Sequence, residues 1–560
     1  MEPVSVFMKD PEGETSVKSF LFKLLSYFCL LVSIVIGCGM LYLVITGKFS
    51  VPSWIAVLLG SHKGFKKLRQ PALFFIVFYF LHLILKYGVR GGLEEARTRI
   101  KSFTDQPYAI WVLGGIYGIL YVWQQVNAYL SLEVHFLPFE YYDYMTYWFS
   151  RGKWYFTGCL HGFYHLETIM ALFVPIWSFL RSPLLFLVAH GLFLSGAAIP
   201  LYFIARGVFK ESFVPFFIAF VYLNFKYVFH GLEMNFCPEG LYPLTVFLTM
   251  FFVIRKNWLG LLAALAVGLL IKEDAPFYFG TLGFYCCLNK SWRPKGLAMI
   301  GLSAVWFLVL MYVIGPWSGA NTRYDDTVDI YAVGTTTFEG TLLYFVTHPF
   351  HVLKELFYPW IKTKTLFSFF SKLVFLPLMT PAALTLLPPI GTAMLTRQIQ
   401  WMTLGYHYAL HIVPFAFIAL VFGLNNFSRW LGSKREGGLW LLITMMALLN
   451  IGNYSLFPVT SNDLKTIHLA RSIPREGIVL TLGHLLPYIG YREQNIYLSP
   501  VVEVGHKKAF ENADYVLLAR EVNTYGAGPE LVEQKIEEYK NNPQYKILVD
   551  DGTRFLFKRV

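Results

Sequence analysis

Two carboxylates, Glu140 and Asp143, stand three residues apart within Pro138-Phe139-Glu140-Tyr141-Tyr142-Asp143-Tyr144. On a helix that spacing puts both on one face, where a carboxylate can take a proton from a hydroxyl; a solvated interfacial helix is the plainer alternative. Further along, Lys272-Glu273-Asp274 sets three ionisable groups between apolar runs. A charge at that depth is costly and normally faces a cavity or a partner, so Lys272 is expected to meet a phosphate, unless it pairs with Glu273 or Asp274 at a helix end. In Asn235-Phe236-Cys237-Pro238-Glu239 the proline suits a helix start, and Glu239 falls in the first turn near the positive end of the dipole. Glu233 is the other acid of that stretch. His165, and His407 with its neighbour Tyr408 one turn before His411, offer imidazoles that bind phosphate or carry a proton; a structural or interfacial role is the favoured reading for each histidine. Asp143 and Glu239, from separate loops, have the oxygen chemistry that Mg²⁺ or Mn²⁺ prefers.

These residues have to be held by something, and the composition says what. Of 560 residues, 56% are hydrophobic and only 15% charged, well under the roughly 25% charge of soluble domains. The expected fold is an all-α polytopic membrane protein with a small C-terminal α/β domain. Apolar runs predict about thirteen spans, at 20–45, 71–89, 108–130, 183–204, 213–229, 241–254, 257–271, 276–288, 296–314, 366–380, 381–395, 409–424 and 438–457. The net charge of +12 needs no nucleic acid, because Lys and Arg collect in cytoplasmic loops. Alternate loops carry that charge, which puts the first long polar loop, 131–166, and nearly all the unusual acids and histidines on the other face.

The domains expected are residues 1–107 with two spans, 108–457 holding the chemistry, and 458–560. In the last, short β-rich runs at 478–482, 496–498, 515–518, 545–549 and 554–558 surround a helical stretch at 529–539. Thirteen crossings from a cytoplasmic N-terminus place this domain outside the cell membrane. The six cysteines show no zinc spacing, and phosphate loops, nucleophile elbows and zincin helices are absent.

Asp143 with Trp148 and Gly152, His165, Asn235-Phe236-Cys237-Pro238-Glu239, Lys272-Glu273-Asp274-Ala275, Tyr331-Ala332-Val333-Gly334, His348-Pro349, Tyr406-His407-Tyr408, Ile473-Pro474 and Ala513-Asp514-Tyr515-Val516-Leu517 together resemble a family of large bacterial and archaeal membrane proteins of unassigned function. That family is similar in turn to the GT-C glycosyltransferase superfamily, which includes aminoarabinose and protein O-mannosyl transferases. The resemblance implies transfer of a sugar from a polyprenyl-phosphate carrier to a glycan, lipid or protein acceptor on the non-cytoplasmic face of a bacterial or archaeal cytoplasmic membrane. It gives Asp143 or Glu140 the role of base or metal ligand, Glu239 that of second acid, and Lys272 that of phosphate holder. A Phe-His-Pro-Glu element of the superfamily reads Phe236-Cys237-Pro238-Glu239 here.

Two rivals come from other classes. A lipid or polysaccharide transporter would line its whole depth with polar residues, whereas the cytoplasmic halves of the expected spans are mostly apolar. A non-catalytic scaffold of the same fold would turn its carboxylates away from any cavity.

Overall fold

The structure is a computed structural model that describes residues 82, 91–134, 136–154, 165–318, 338–450, 459–490, 495–497, 512–520 and 528–560. The expected span at 20–45, all but His82 of that at 71–89, and the stretch 331–334 lie outside these residues. The chain divides into two compact units, residues 1–109 with 453–458, and residues 110–452 with 459–560. The first unit carries a helix over 91–104, on whose surface Arg99 Nε meets Glu95 Oε1 at 2.7 Å.

In the second unit, sequence and structure part over the number of crossings. Four helical segments among the described residues are long and apolar enough to span a membrane: Ala109–Leu130, Leu184–Arg206, Phe213–Glu233 and Arg293–Trp317. Of the thirteen expected, two lie outside the described residues apart from His82, and others form shorter or interrupted helices for local reasons. The runs at 241–254, 257–271 and 276–288 form helices Tyr242–Ile254, Trp258–Leu269 and Ala275–Cys287 of 13, 12 and 13 residues, short of the ~20 residues that cross a bilayer unaided. The run at 381–395 holds Pro381, Pro388 and Pro389, so it forms a 3₁₀ turn, Pro381–Leu386, and then a short helix, Leu387–Met394. Its neighbour at 366–380 stops as a helix at Ser371, and Val374 and Phe375 then take positive φ. Proline removes a backbone donor and clashes with the preceding turn, which prevents a continuous helix.

Apolar packing holds the short helices. Ala275–Cys287 and Arg293–Val309 form a hairpin so close that a Cβ on Gly296 would stand 2.5 Å from the Gly283 carbonyl oxygen, an approach that only glycine permits. Phe236 is fully buried and gathers the rings of Tyr142, Phe173, Phe186 and His190, with centroids 4.9 to 6.0 Å away. This aromatic floor adjoins the turn Pro238–Leu241, two residues further along the chain.

The C-terminal portion forms a five-stranded sheet of order β2-β1-β3-β5-β4. The strands are β1 (Val479–Thr481), β2 (Asn495–Tyr497), β3 (Tyr515–Ala519), β4 (Tyr545–Asp550) and β5 (Arg554–Arg559). β1 pairs in parallel with β2 and β3, with Val479 opposite Tyr515, while β5 runs antiparallel to both β3 and β4. All five residues of β3 are buried, as a central strand requires. Helices Ser461–Ser472 and Pro529–Asn541 accompany the sheet; the first starts with a capping box between Thr460 and Asp463. This module is fastened to the end of Ala109–Leu130 by three bonds. The Tyr488 hydroxyl donates to the Tyr129 carbonyl at 2.5 Å, Arg471 donates to the Tyr129 hydroxyl at 3.1 Å, and His484 Nδ1 meets the Val134 carbonyl at 3.0 Å.

Candidate functional site

Three turns that the chain places far apart in sequence meet around Glu239. The first begins where Lys226–Glu233 ends. Asn235 takes φ 69° there, a left-handed conformation that Asn tolerates better than most residues, and its amide donates to Gln125 Oε1 at 3.2 Å. The chain then extends through Cys237, and Pro238 opens the turn Pro238–Leu241 with Glu239 in its first turn, as the sequence predicts. Gly240 lets this turn lie against the ring of His190, which would stand 2.5 Å from a Cβ at that position.

The second turn, 270–274, joins Trp258–Leu269 to Ala275–Cys287. Its three ionisable side chains go to three different partners. Lys272 Nζ donates to Glu239 Oε1 at 2.7 Å, both residues being about 5% exposed or less. Glu273 turns away and takes His165 Nδ1 at 2.5 Å on Oε1 and the Leu166 backbone N–H at 2.9 Å on Oε2. Asp274 accepts from the hydroxyls of Tyr242 at 2.6 Å and Tyr278 at 2.9 Å. The alternative of an internal pairing of Lys272 with Glu273 or Asp274 is therefore replaced by a long-range pair with Glu239. Burial alone would push the Lys272 ammonium down; Glu239, Asp274 and Glu273 outweigh it and hold it above the usual lysine range.

The third turn precedes the helix Val413–Trp430. Leu404 and Tyr406 both have positive φ, which costs on the order of 1 to 3 kcal/mol per non-glycine residue and tends to cluster at functional sites. This backbone presents His407, whose Nε2 lies 3.8 Å from Glu239 Oε1. Tyr408 stacks on Trp401 at 4.6 Å and lies against His407 at 4.2 Å. Glu239, Lys272, His407 and Tyr408 are thus brought together, and His165 joins through Glu273.

The first-loop acids are carried by a further element. Both belong to the helix Phe136–Ser150; the side chain of Glu140 lies outside the described atoms, and Asp143 Oδ1 accepts from the Trp177 indole N–H at 2.8 Å. No set of three or more His, Cys, Asp or Glu residues among the described ones is arranged to hold a metal ion. Asp143 thus has an indole donor on one oxygen, and Glu239 an ammonium on one of its own.

Sequence reasoning missed the structural partner of this group, the stretch 165–169. Leu166 N–H and His165 bind Glu273, while the Thr168 hydroxyl and Ile169 N–H donate to the Leu270 carbonyl at 3.1 and 2.7 Å. Between these two rungs sits Glu167, fully buried, its Oε1 accepting from the Tyr142 hydroxyl at 3.1 Å. The available signal was an acid at the head of an apolar run.

Comparison with known proteins gives three results. No curated protein matches the chain. Among solved structures, the chain is similar to a crystal structure of ArnT from Cupriavidus metallidurans bound to undecaprenyl phosphate, at 11% identity and a TM-score of 0.48, over 81% of this chain and 99% of that one. Residues 160–552, which contain the Glu239, Lys272 and His407 turns and strands β1 to β4, match one family model, so the chain belongs to the family described as "Predicted membrane protein (DUF2079)".

Proposed function

We propose that this integral membrane protein is a GT-C-type glycosyltransferase, moving a sugar from a polyprenyl-phosphate carrier to an acceptor hydroxyl at the non-cytoplasmic face of a bacterial or archaeal cytoplasmic membrane. The observation that carries the reading is Lys272. Its ammonium has three N–H donors, yet among the described residues Glu239 is its single hydrogen-bond acceptor. A buried cation so thinly satisfied is expensive if its role is structural, and it suits an anion that arrives from outside. Glu239 Oε2 and His407 Nδ1 likewise have no hydrogen-bond partner among the described residues. Polar valences left open beside an apolar helix array fit a lipid whose phosphate head enters while its chain stays in the bilayer.

In the proposed reaction a carboxylate of Phe136–Ser150, Asp143 or Glu140, takes the proton from the acceptor hydroxyl as its oxygen attacks the anomeric carbon. The carbon–oxygen bond to the carrier phosphate breaks, and its electron pair stays on the departing phosphate oxygen. Lys272 stabilises that charge, with His165, His407 and Tyr408 around the phosphate. The test is lipid extraction of the purified protein followed by mass spectrometry, together with a transfer assay. A polyprenyl phosphate should co-purify with the wild type and be lost with Lys272→Met, while Asp143→Asn combined with Glu140→Gln retains the lipid and abolishes transfer. Absence of any isoprenoid phosphate from the wild type would end this reading, and full transfer by the double carboxylate variant would move the base elsewhere.

A further inference from the structure

The mechanism above does not use Glu167, the most deeply placed acid near the site. Its exposure is 0%, and the two rungs of hydrogen bonds on either side hold its backbone against the 270–273 turn. One oxygen accepts from the Tyr142 hydroxyl. The other, Oε2, has no hydrogen-bond partner among the described residues. An ionised carboxylate offers about four acceptor sites, and leaving them unmet in an apolar interior is costly.

The charged and titratable groups facing Glu167 point the same way. Tyr142 comes from Phe136–Ser150, Glu239 and Cys237 from the turn around Pro238, and Lys272 and Glu273 from the 270–274 turn, with His165 on its own strand of chain. Lys272 already gives its bond to Glu239, and His165 gives its to Glu273. Burial, then the charge of Glu239, lifts the Glu167 carboxyl well above the usual range despite Lys272. A protonated carboxyl has a donor as well as acceptors. With Oε1 receiving the tyrosine, the hydrogen on Oε2 is unmatched among the described residues.

We propose that Glu167 is held as a neutral carboxylic acid and presents its hydrogen to an oxygen of the anionic head group that binds at Lys272. The second half rests on the phosphate reading of the site given above. An anion that draws the ammonium away from Glu239 would meet two carboxylates, Glu239 and Glu273; a third negative charge would oppose it, and a neutral donor assists it. An acid kept uncharged by apolar surroundings so that it can donate is an established device of active sites.

Two measurements separate the halves. In infrared difference spectra at neutral pH, Glu167→Gln should remove a carbonyl band of a protonated carboxyl present in the wild type; an unchanged band region overturns the neutral acid. In titrations of detergent-solubilised protein with a short-chain polyprenyl phosphate, Glu167→Gln retains a donor and should bind within about threefold of wild type, whereas Glu167→Leu should bind about tenfold or more weakly. Wild-type affinity in Glu167→Leu overturns the donor role. If the wild type binds no polyprenyl phosphate while the infrared band still disappears in Glu167→Gln, the transferase reading and the head-group half fall together, and the neutral acid stands.

Discussion

Removing one member of the Glu239–Lys272 pair should be far more damaging than removing both. In Lys272→Met the carboxylate of Glu239 keeps His407, at 3.8 Å, as its one ion-pair partner among the described residues, and burial pushes that imidazole toward its neutral form. Both paired side chains are 6% exposed or less, so solvent cannot take over. A buried charge orphaned in this way costs about 3 to 5 kcal/mol, and Glu239→Leu, which orphans the ammonium, should cost a similar amount. The combined Lys272→Met, Glu239→Leu protein replaces the pair with apolar groups of comparable volume and should lose less than about 1 kcal/mol, or gain. The coupling energy between the two sites is then at least about 5 kcal/mol. Unfolding in mixed detergent micelles, followed by tryptophan fluorescence, measures all four proteins. Single variants that each lose under about 1 kcal/mol, or a double variant as unstable as the summed singles, would refute the argument that this is a desolvated pair. The double variant should also be folded and devoid of transfer, which separates the role of the pair in chemistry from its role in stability.

Asp274 sets a pH dependence with a definite sign. Burial lifts its carboxyl above the usual range against the pull of Lys272, so the folded protein holds this proton to higher pH than the unfolded chain does. The associated stabilisation is complete below the unfolded carboxylate value and is lost as pH rises through the folded one; unfolding curves between about pH 4 and pH 7 should show wild type declining relative to Asp274→Asn. At the hairpin, Gly296→Val forces a side chain against the Gly283 carbonyl and Cys287, and should cost about 1 to 3 kcal/mol or more in the same unfolding assay.

The C-terminal module was readable almost strand by strand, because short β-rich runs bounded by turn residues fit few alternatives: the expected run at 515–518 is β3, and 554–558 is β5. Its helix Ser461–Ser472 escaped because few of its residues are apolar, although Thr460 and Asp463 carried the capping signature. In the membrane portion, hydropathy found apolar runs but not their fate. Composition does not show whether an apolar run forms one long helix or shorter pieces such as Pro381–Leu386 and Leu387–Met394. For the candidate site, residue chemistry pointed to Lys272 and Glu239 separately. Their pairing depends on how the 270–274 turn fans out its side chains, sending Glu273 to His165 and Asp274 to two tyrosines, and neighbouring residues in sequence gave no hint of that.

The rungs that fix the 165–169 stretch join residues 102 to 108 positions apart. During synthesis at about 5 to 20 residues per second, that gap keeps Glu167 without its tether for roughly 5 to 20 s after it leaves the ribosome. Tyr142, already made, is the earliest companion it can have. A nascent chain stalled before residue 270 would therefore leave an acid and an aromatic floor open to the insertion machinery, and biogenesis of this protein has to shelter them until the later turn arrives.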